Sequence, residues 1–366
     1  MQFHNTNISK RVKFFLDKAL DSERVSAGEL AAEFENQLQL HLRLPRKPLS
    51  VNSGTSGLHL ALAVAGIKAG DEVILSAQTF IATGLVILMQ HAKPVFADIQ
   101  PDTGNICPIS IRKKITNKTR AIMAVHWAGY PCDMDEINQI GREYGLFVIE
   151  DAAHALGATY KNRPIGSLSD FTVFSFQAIK HMTTGDGGAV CCLTDQNAQE
   201  LARRRWFNID RDHSKLSILG EREYNSEHIG YKYHMNDLSA AVGLGNIGEL
   251  YHTLERHRFI GSYYKENLKD INGINLLNFS NDRESSFWMF PFIVDKREDF
   301  IKSLKDRGVP TSVVHRRIDK NEIFGERTPN LPGQEFFDQY QVALPVHTKI
   351  KDDDLELIID SVKKGW

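Results

Sequence analysis

The chain has 366 residues, with 44 lysines and arginines against 46 aspartates and glutamates, which gives a formal charge of -2. This balance offers no electrostatic reason to expect a nucleic acid or an anionic membrane as a partner. With 42% hydrophobic and 25% charged residues the composition is that of a packed globular protein, and the length exceeds what one hydrophobic core usually fills. We therefore expect a large domain over residues 1–248 and a smaller one over residues 249–366.

The first ten residues are polar and lack the apolar stretch of a secretion signal. A long uncharged segment over residues 73–92 has polar residues in its middle, so a buried strand followed by a helix is predicted there rather than a membrane span. The spacing of the histidines does not match that of a metal-binding pair, so we predict no metal site. A cytoplasmic protein with unbridged thiols is expected, because no CxxC pair occurs among Cys107, Cys132, Cys191 and Cys192.

Periodicity predicts two amphipathic helices between residue 6 and about residue 44. Beyond them, short runs rich in Val, Ile and Phe alternate with helix-length intervals. Strands are predicted over residues 72–77, 94–99, 120–125, 146–150, 171–176 and 189–193. This alternation indicates an α/β domain with a mostly parallel sheet, covered by helices on both faces.

The last third of the chain predicts a smaller α+β domain. One long helical pattern runs over residues 238–268 and is followed by a strand-like segment over residues 286–294. A helix over residues 298–307, a stretch with Pro and Gly around residues 324–333 and a closing helix over residues 352–363 complete it.

The first segment with chemical potential is Asn52-Ser53-Gly54-Thr55-Ser56-Gly57, which precedes a helical pattern. Thr55 or Ser56 can cap that helix, while Gly54 and Gly57 let the backbone approach a ligand closely. The free N–H groups would then form a phosphate cradle. The segment is neither a Walker loop nor a GxGxxG loop, and an ordinary capped helix is the alternative.

The second segment, over residues 148–154, is an apolar run that ends in Glu150 and Asp151, followed by His154. Ligands of open α/β sheets collect outside the carboxyl ends of the strands, so one of these acids is placed to hold a cationic ring nitrogen. A pair of acids that caps the following turn is the alternative.

The third segment places Lys180 after a predicted strand and before the glycine-rich run Thr183-Thr184-Gly185-Asp186-Gly187-Gly188. Burial of such a lysine lowers its pKa and makes the neutral amine a nucleophile that can bond to an aldehyde. A solvent-exposed loop lysine is the alternative. A phosphate cradle, a strand-end acid and a reactive lysine match pyridoxal 5'-phosphate (PLP), which has one phosphate, one pyridine nitrogen and one aldehyde.

The motifs resemble those of the DegT/DnrJ/EryC1/StrS sugar aminotransferases from about residue 30 onward. The resemblance rests on Asn52-Ser53-Gly54-Thr55, residues 94–99, residues 150–158, residues 174–188 and Gly230-Tyr231-Lys232-Tyr233-His234-Met235. It implies the aspartate aminotransferase-like fold type I, with a large PLP-binding domain and a homodimer whose active sites lie at the subunit interface.

The resemblance also implies residue roles. Lys180 would bind the cofactor aldehyde and move the proton, Asp151 would keep the pyridine nitrogen protonated, and His154 would lie beside the 3'-oxygen of the cofactor. The remaining cofactor-binding candidates are the phosphate ligands and the aromatic that stacks on the ring: Gly54, Thr55, Ser56, Ser175 and Phe80.

Two departures from the family pattern concern Lys232 and Lys180. Lys232 and His234 replace the more usual Asn and Arg, and Lys232 remains a candidate phosphate ligand of the neighbouring subunit. Related PLP-dependent 3-dehydratases have histidine at the position of Lys180, so the lysine, which His181 follows, favours an aminotransferase.

The implied reaction moves an amino group from L-glutamate to a keto group of a nucleotide-linked sugar by a ping-pong mechanism, with a 4-keto-6-deoxyhexose as the first candidate acceptor and a 3-keto sugar as the second. A PLP-dependent dehydratase or isomerase and a non-catalytic regulatory protein of the same fold are the alternatives. Candidate acceptor ligands are His126, Trp127, the cluster of Arg203, Arg204, Arg205, Arg211 and Lys215 beside Trp206, and the cluster His315, Arg316 and Arg317. A packed indole at Trp127 and a solvated helix face for the basic cluster are the alternatives.

Overall fold

The computed structural model describes residues 1–210 and 214–366. Within these ranges the strands, in chain order, are β1 (Leu49–Val51), β2 (Glu72–Ser76), β3 (Lys93–Ala97), β4 (Thr119–Val125), β5 (Phe147–Asp151), β6 (Thr159–Tyr160), β7 (Arg163–Pro164), β8 (Phe171–Ser175), β9 (Gly188–Cys192), β10 (Ile274–Leu276), β11 (Arg283–Glu284), β12 (Phe290–Val294) and β13 (Gln341–Leu344).

The α-helices surround these strands. They are α1 (Val12–Asp21), α2 (Leu30–His41), α3 (Gly54–Val64), α4 (Ile81–Met89), α5 (Pro108–Lys114), α6 (Met134–Tyr144), α7 (Asp195–Arg204), α8 (Asp237–Ile247), α9 (Leu250–Leu268), α10 (Arg297–Asp306), α11 (Pro332–Tyr340) and α12 (Asp352–Lys363).

The central seven-stranded sheet, counted over the described residues, has the order β1-β9-β8-β5-β4-β2-β3. Strand β9 runs opposite to the other six strands, so its pairings with β1 and β8 are antiparallel and the remaining pairings are parallel. Most strand residues are buried because helices cover both faces. The predicted α/β class with a mostly parallel sheet is therefore confirmed. The carboxyl ends of the parallel strands meet at one edge, and Gly188, the first residue of β9, lies at the same edge.

The single long helix predicted over residues 238–268 is wrong, because the chain forms two helices, α8 and α9, with Gly248 as the C-cap of α8. Helix α8 packs against α1 and α2. Helix α9 places Leu254 in the core under the central sheet, and it places Ile260 and Tyr264 in the core of the C-terminal part. Two different packing partners thus account for the break.

The C-terminal part contains the antiparallel sheet β10-β12-β13 and its own aromatic core around Phe290, Phe292 and Phe300. We propose that the domain boundary lies between residues 248 and 249. The C-terminal part also contacts the large part, because Ile318 and Phe324 pack against the large sheet. No helix in the described ranges is long and apolar enough to cross a membrane. The two parts meet beside the carboxyl edge of the central sheet.

Candidate active site

A cavity of about 340 Å³ lies at this edge of the sheet. That volume is within the range of small-molecule and cofactor pockets. Residues that line it come from five segments of the large part and two of the C-terminal part: Ser53, Gly54, Thr55, Leu58, Thr79, Phe80, Ala82, Thr83, Val125, Asp151, Ala153, His154, Val173, Ser175, Gln177, Ile179, Lys180, Asp186, Gly187, Trp288 and His315.

Helix α3 begins at the cavity, and its cap differs from the prediction. Ser53, rather than Thr55 or Ser56, is the N-cap, because its Oγ accepts the backbone N–H of Ser56 at 3.0 Å. Gly54 and Thr55 then form the first turn, where N–H groups lack a carbonyl partner within the helix and the helix dipole is positive. The Ser56 hydroxyl lies 2.8 Å from Ser53 Oγ, so Ser56 supports the cap.

The backbone around Gly54 packs so closely that side chains are excluded. A Cβ atom at Gly54 would lie 3.1 Å from Ser175 Cβ, and one at Gly188 would lie 2.6 Å from Phe174 O and 2.8 Å from Gly54 N. The first turn of α3, the end of β8 and the start of β9 therefore form a tight cradle. Free N–H groups and the Ser175 hydroxyl at this place suit a phosphate.

Replacement of Gly188 by alanine is expected to destabilise the fold by about 1–3 kcal/mol, because the methyl group overpacks against two backbone atoms. Urea unfolding of the cofactor-free protein measures this change. Gly248→Ala is the matched control, since the nearest atom to its Cβ is the flexible end of Arg11, at 3.2 Å. Equal free energies of unfolding for the two variants would contradict the cradle geometry.

Asp151 is the acid that faces the cavity. Its Oδ2 accepts a hydrogen bond from Thr83 Oγ1 at 2.8 Å, and its Oδ1 accepts the N–H of Ala153 at 3.1 Å. Burial raises the pKa of Asp151, and these two hydrogen bonds, together with the charge of Lys180, oppose the rise.

Glu150 points to the opposite face of the sheet, since successive side chains of a strand alternate. Its Oε2 lies 2.7 Å from Nε2 of His126, and its Oε1 accepts from Thr172 Oγ1 at 2.9 Å. His126 Nδ1 accepts the N–H of Cys132, so Nε2 carries the proton and donates to Glu150. The two acids of the motif are thus separated into one cavity acid and one buried structural acid.

Lys180 enters the cavity from the turn before the glycine-rich run, with Nζ 3.8 Å from the ring centroid of Trp288. Burial lowers the pKa of Lys180 to about 7, and the charge of Asp151 opposes this effect. A substantial fraction of the amine is therefore neutral at neutral pH and available as a nucleophile.

His154 lies beside this lysine and is neutral. Its ring stacks on Trp288, with centroids 3.8 Å apart and planes inclined by 12°. Burial, reinforced by the charge of Lys180, lowers the pKa of His154 well below its usual value. Nδ1 of His154 is buried without a hydrogen-bond partner among the described residues, so one ring nitrogen is available to a ligand.

Phe80 and His315 form the outer wall of the cavity, with ring centroids 5.2 Å apart. The Phe80 side chain is 54% exposed and offers a flat apolar surface beside the lysine and the acid. Sequence reasoning found Phe80 only through the family pattern and missed Trp288. No local motif marks Trp288, which reaches the cavity from a segment more than 100 residues beyond Lys180.

The predicted acceptor ligands are mostly engaged elsewhere. His126 and Trp127 are fully buried and are not among the described residues that line the cavity. Their expected position facing the site is therefore wrong, because His126 turns inward to bond Glu150. Of the candidate acceptor residues that the structure describes, His315 lines the cavity.

Those arginines of the two predicted clusters that the structure describes are held by acids. Arg203 and Arg204 pair with Glu200, Arg205 with Glu35, Arg316 with Asp338, and Arg317 with Asp319. Lys215 is exposed and lies away from the cavity lining, and Arg211 lies outside the described residues. These pairs give no arginine a free guanidinium at the cavity described here.

Lys232 does not reach the cavity of its own chain. Tyr231 and Tyr233 turn inward and stack with centroids 4.9 Å apart, and the Tyr233 hydroxyl lies 3.1 Å from Nδ1 of His59. Lys232, between them, is exposed, with Nζ 3.6 Å from the ring centroid of Trp206. Its amine is therefore presented at the surface of the protein.

The fold and the cavity define a PLP-dependent transaminase of fold type I, in which a lysine, an acid and an anion cradle meet at the carboxyl edge of a mostly parallel sheet. The chain belongs to the DegT/DnrJ/EryC1/StrS aminotransferase family, whose model matches residues 7–363. PLP is accordingly its cofactor.

Relatives and solved structures of this family resemble the whole chain. The chain is 34% identical to spore coat polysaccharide biosynthesis protein SpsC of Bacillus subtilis (94% of this chain, 92% of the relative) and 32% identical to GDP-perosamine synthase of Escherichia coli O157:H7 (99% and 98%). Sugar aminotransferase CalS13 of Micromonospora echinospora superimposes with a TM-score of 0.94 at 34% identity, covering 100% of both chains. The PLP form of sugar aminotransferase Spr1654 of Streptococcus pneumoniae, described as putative, gives 0.89 at 28% identity (100% and 98%).

The residues present fit this cofactor. The cradle around Gly54 excludes side chains and so leaves room for a phosphate. Asp151 supplies a buried carboxylate for the pyridine nitrogen, and Lys180 supplies an amine with a lowered pKa. The unpartnered Nδ1 of His154 supplies a polar contact for a ring substituent.

Proposed function

We propose that this transaminase moves the amino group of L-glutamate to a keto group of a nucleotide-linked sugar, with a 4-keto-6-deoxyhexose as the first candidate acceptor. The observation that carries the proposal is the meeting of Lys180, Asp151 and the anion cradle in one cavity. A relative that is a GDP-perosamine synthase and another involved in spore coat polysaccharide biosynthesis support a nucleotide-sugar acceptor and a role in polysaccharide biosynthesis.

Lys180 and Asp151 have the central roles in this proposal. PLP, when bound, withdraws electrons from the carbon that loses or gains a proton. Lys180 would hold the cofactor through its amine. Once that amine is free again, its Nζ would move the proton, and a pKa of about 7 lets the free amine accept and return a proton near neutral pH. Asp151 holds the proton on the pyridine nitrogen by charge and hydrogen bonding.

The other cavity residues bind and orient the cofactor. The N–H groups of Gly54 and Thr55 and the Ser175 hydroxyl hold the phosphate at the positive end of α3, and Ser56 acts through the cap. Phe80 would stack on the pyridine ring, and His154 would lie beside its 3'-oxygen, with the unpartnered Nδ1 available for the contact. Each part of the cofactor thus has its own set of residues in this assignment.

We also propose a homodimer, located in the cytoplasm, in which Lys232 of each subunit reaches the phosphate in the other subunit. An exposed lysine between two inward tyrosines supports this role, because the stacked tyrosines hold the segment in place while Lys232 itself lies at the surface. A lysine is also a better phosphate partner than the asparagine of the family pattern, since its hydrogen bonds are charge-assisted.

Mixing two inactive variants is expected to restore activity if Lys232 acts across the interface. In dimers that combine Lys180→Ala with Lys232→Ala subunits, one of the two sites keeps both lysines. Random exchange should therefore recover about a quarter of the wild-type activity per subunit. Recovery no greater than the sum of the separate variants would contradict a shared site, and each variant mixed with itself is the control.

A screen of keto nucleotide sugars with L-glutamate tests the proposed reaction. We expect 2-oxoglutarate and an aminated nucleotide sugar in equal amounts, with 4-keto-6-deoxyhexoses tested first and 3-keto sugars second. A sugar product that is dehydrated or rearranged without nitrogen would favour the dehydratase or isomerase instead. PLP binding without any turnover across donors and acceptors would favour a regulatory protein.

A further inference from the structure

Three consecutive residues of the lysine turn contact one short segment of the C-terminal part, residues 286–288. The carbonyl of Ile179 accepts the indole N–H of Trp288 at 3.0 Å. Lys180 Nζ lies 3.8 Å from the centroid of the Trp288 ring. His181 Nε2 donates to the carbonyl of Ser286 at 2.9 Å. The reactive lysine is thus bracketed on both sides by bonds to the same segment.

Segment 286–288 is itself fixed to the large part of the protein. The N–H groups of Ser286 and Trp288 donate to the carbonyls of Gly129 and Ala128 at 3.1 and 2.9 Å. The Ser286 hydroxyl donates to the carbonyl of His154 at 2.9 Å. These three contacts hold the segment against residues 128–129 and against His154, which lines the cavity.

The backbone adopts an uncommon conformation in this segment and at Ala128, the partner of Trp288 N–H. Phe287 has φ of +46° and Ala128 has φ of +56°, in the left-handed region that side chains usually avoid. Such conformations persist where the surroundings impose them and cluster at functional sites. The bonds from His181, and from His257 Nδ1 to the carbonyl of Phe287 at 2.9 Å, supply that restraint.

His181 is turned away from the cavity and is buried, with 3% of its surface exposed. Burial, together with the nearby His257, lowers its pKa well below the usual value, so the ring is neutral and has one N–H. That N–H goes to Ser286, while Nδ1 has no partner among the residues described. The histidine therefore contributes a single directed hydrogen bond.

We propose that His181 is a positioning residue, which through Ser286 keeps the ring of Trp288 against the amine of Lys180. The inference rests on the proposed function in that Lys180 is the reactive amine. Trp288 shields the amine from water on one side and also stacks on His154, so one segment aligns both side chains. Loss of the His181 bond would free the segment and admit water to the amine.

The test is the pH profile of Lys180 in the cofactor-free protein. Brief acetylation at several pH values, followed by mass spectrometry of the peptide that contains Lys180, gives the midpoint at which the amine becomes reactive. The wild-type midpoint is expected at about 7. In His181→Leu we expect it to rise by at least about one pH unit, since solvation favours the ammonium form.

Turnover provides the second readout. With the cofactor bound, His181→Leu is expected to lower kcat about 100-fold, because a displaced reactive group is costly, while KM for the amino donor stays nearly unchanged. His181→Gln keeps a donor near the position of Nε2 and should restore most of both readouts. Trp288→Phe removes the hydrogen bond to Ile179 and should shift the acetylation midpoint in the same direction. This variant provides the test if His181→Leu does not fold.

Tyr264→Phe is the matched control, since it also removes one buried hydrogen bond to a carbonyl, that of Pro345, away from the lysine turn. A wild-type midpoint in both His181→Leu and Trp288→Phe would overturn the proposal, and so would an equal shift in Tyr264→Phe. The acetylation profile needs no substrate. A failed sugar screen would therefore count against the proposed function, while the acetylation result would still decide the role of His181.

Discussion

Replacement of Lys180 by alanine is expected to lower amino transfer by at least about 10⁴-fold, because it removes both the covalent attachment of the cofactor and the group that moves the proton. The visible absorption band of the protein-bound cofactor should be lost as well. Steady-state kinetics with glutamate and a keto nucleotide sugar, together with absorption spectra, measure the two effects.

The matched control is Lys302→Ala, which removes an exposed lysine of helix α10. It should keep the wild-type rate and spectrum. A Lys180→Ala protein that retained more than about a hundredth of the wild-type rate would show that another group performs the proton transfer, and the proposed role of Lys180 would be wrong.

Asp151→Asn is expected to lower kcat by about 10²- to 10³-fold, the usual cost of removing one preorganised electrostatic partner. The amide is nearly isosteric. Its oxygen can still accept the N–H of Ala153 while its NH2 group donates to the Thr83 hydroxyl, so the fold should tolerate it. The melting temperature is expected to stay within a few degrees of wild type or to rise, because a buried charge is removed.

The same variant has a signature in the cofactor-free protein. The charge of Asp151 opposes the lowering of the Lys180 pKa by burial, so its loss should move the acetylation midpoint of Lys180 below about 7. Asp353→Asn, at an exposed position in the first turn of α12, should leave both readouts unchanged. A rate within tenfold of wild type in Asp151→Asn would contradict the proposed role.

The central sheet could be predicted from the sequence because buried parallel strands are short continuous apolar runs. The six predicted strands overlap the observed ones, whereas β1 escaped notice because it has only three residues. The break between α8 and α9 was missed because the apolar pattern continues across Gly248 while the packing partners change. Periodicity reports burial and carries no information about which core buries a residue.

Site residues that belong to a local sequence motif were also predictable, because the end of a strand or the start of a helix fixes where the residues of that motif lie. The structure brings Gly54, Asp151, Ser175 and Lys180 into one cavity, together with Phe80 and His154. Trp288 was not predictable, because its place depends on how the C-terminal part packs against the lysine turn. The cap was predicted at Thr55 or Ser56 and lies at Ser53, because three hydroxyl residues surround Gly54 and each can cap a helix.

The most direct test of the central proposal follows the nitrogen. The enzyme, loaded with PLP, is incubated with ¹⁵N-labelled L-glutamate and a 4-keto-6-deoxy nucleotide sugar, and the sugar product is analysed by mass spectrometry. We predict one ¹⁵N atom per product molecule, with no incorporation by Lys180→Ala. A converted sugar without the label would contradict amino transfer at this site.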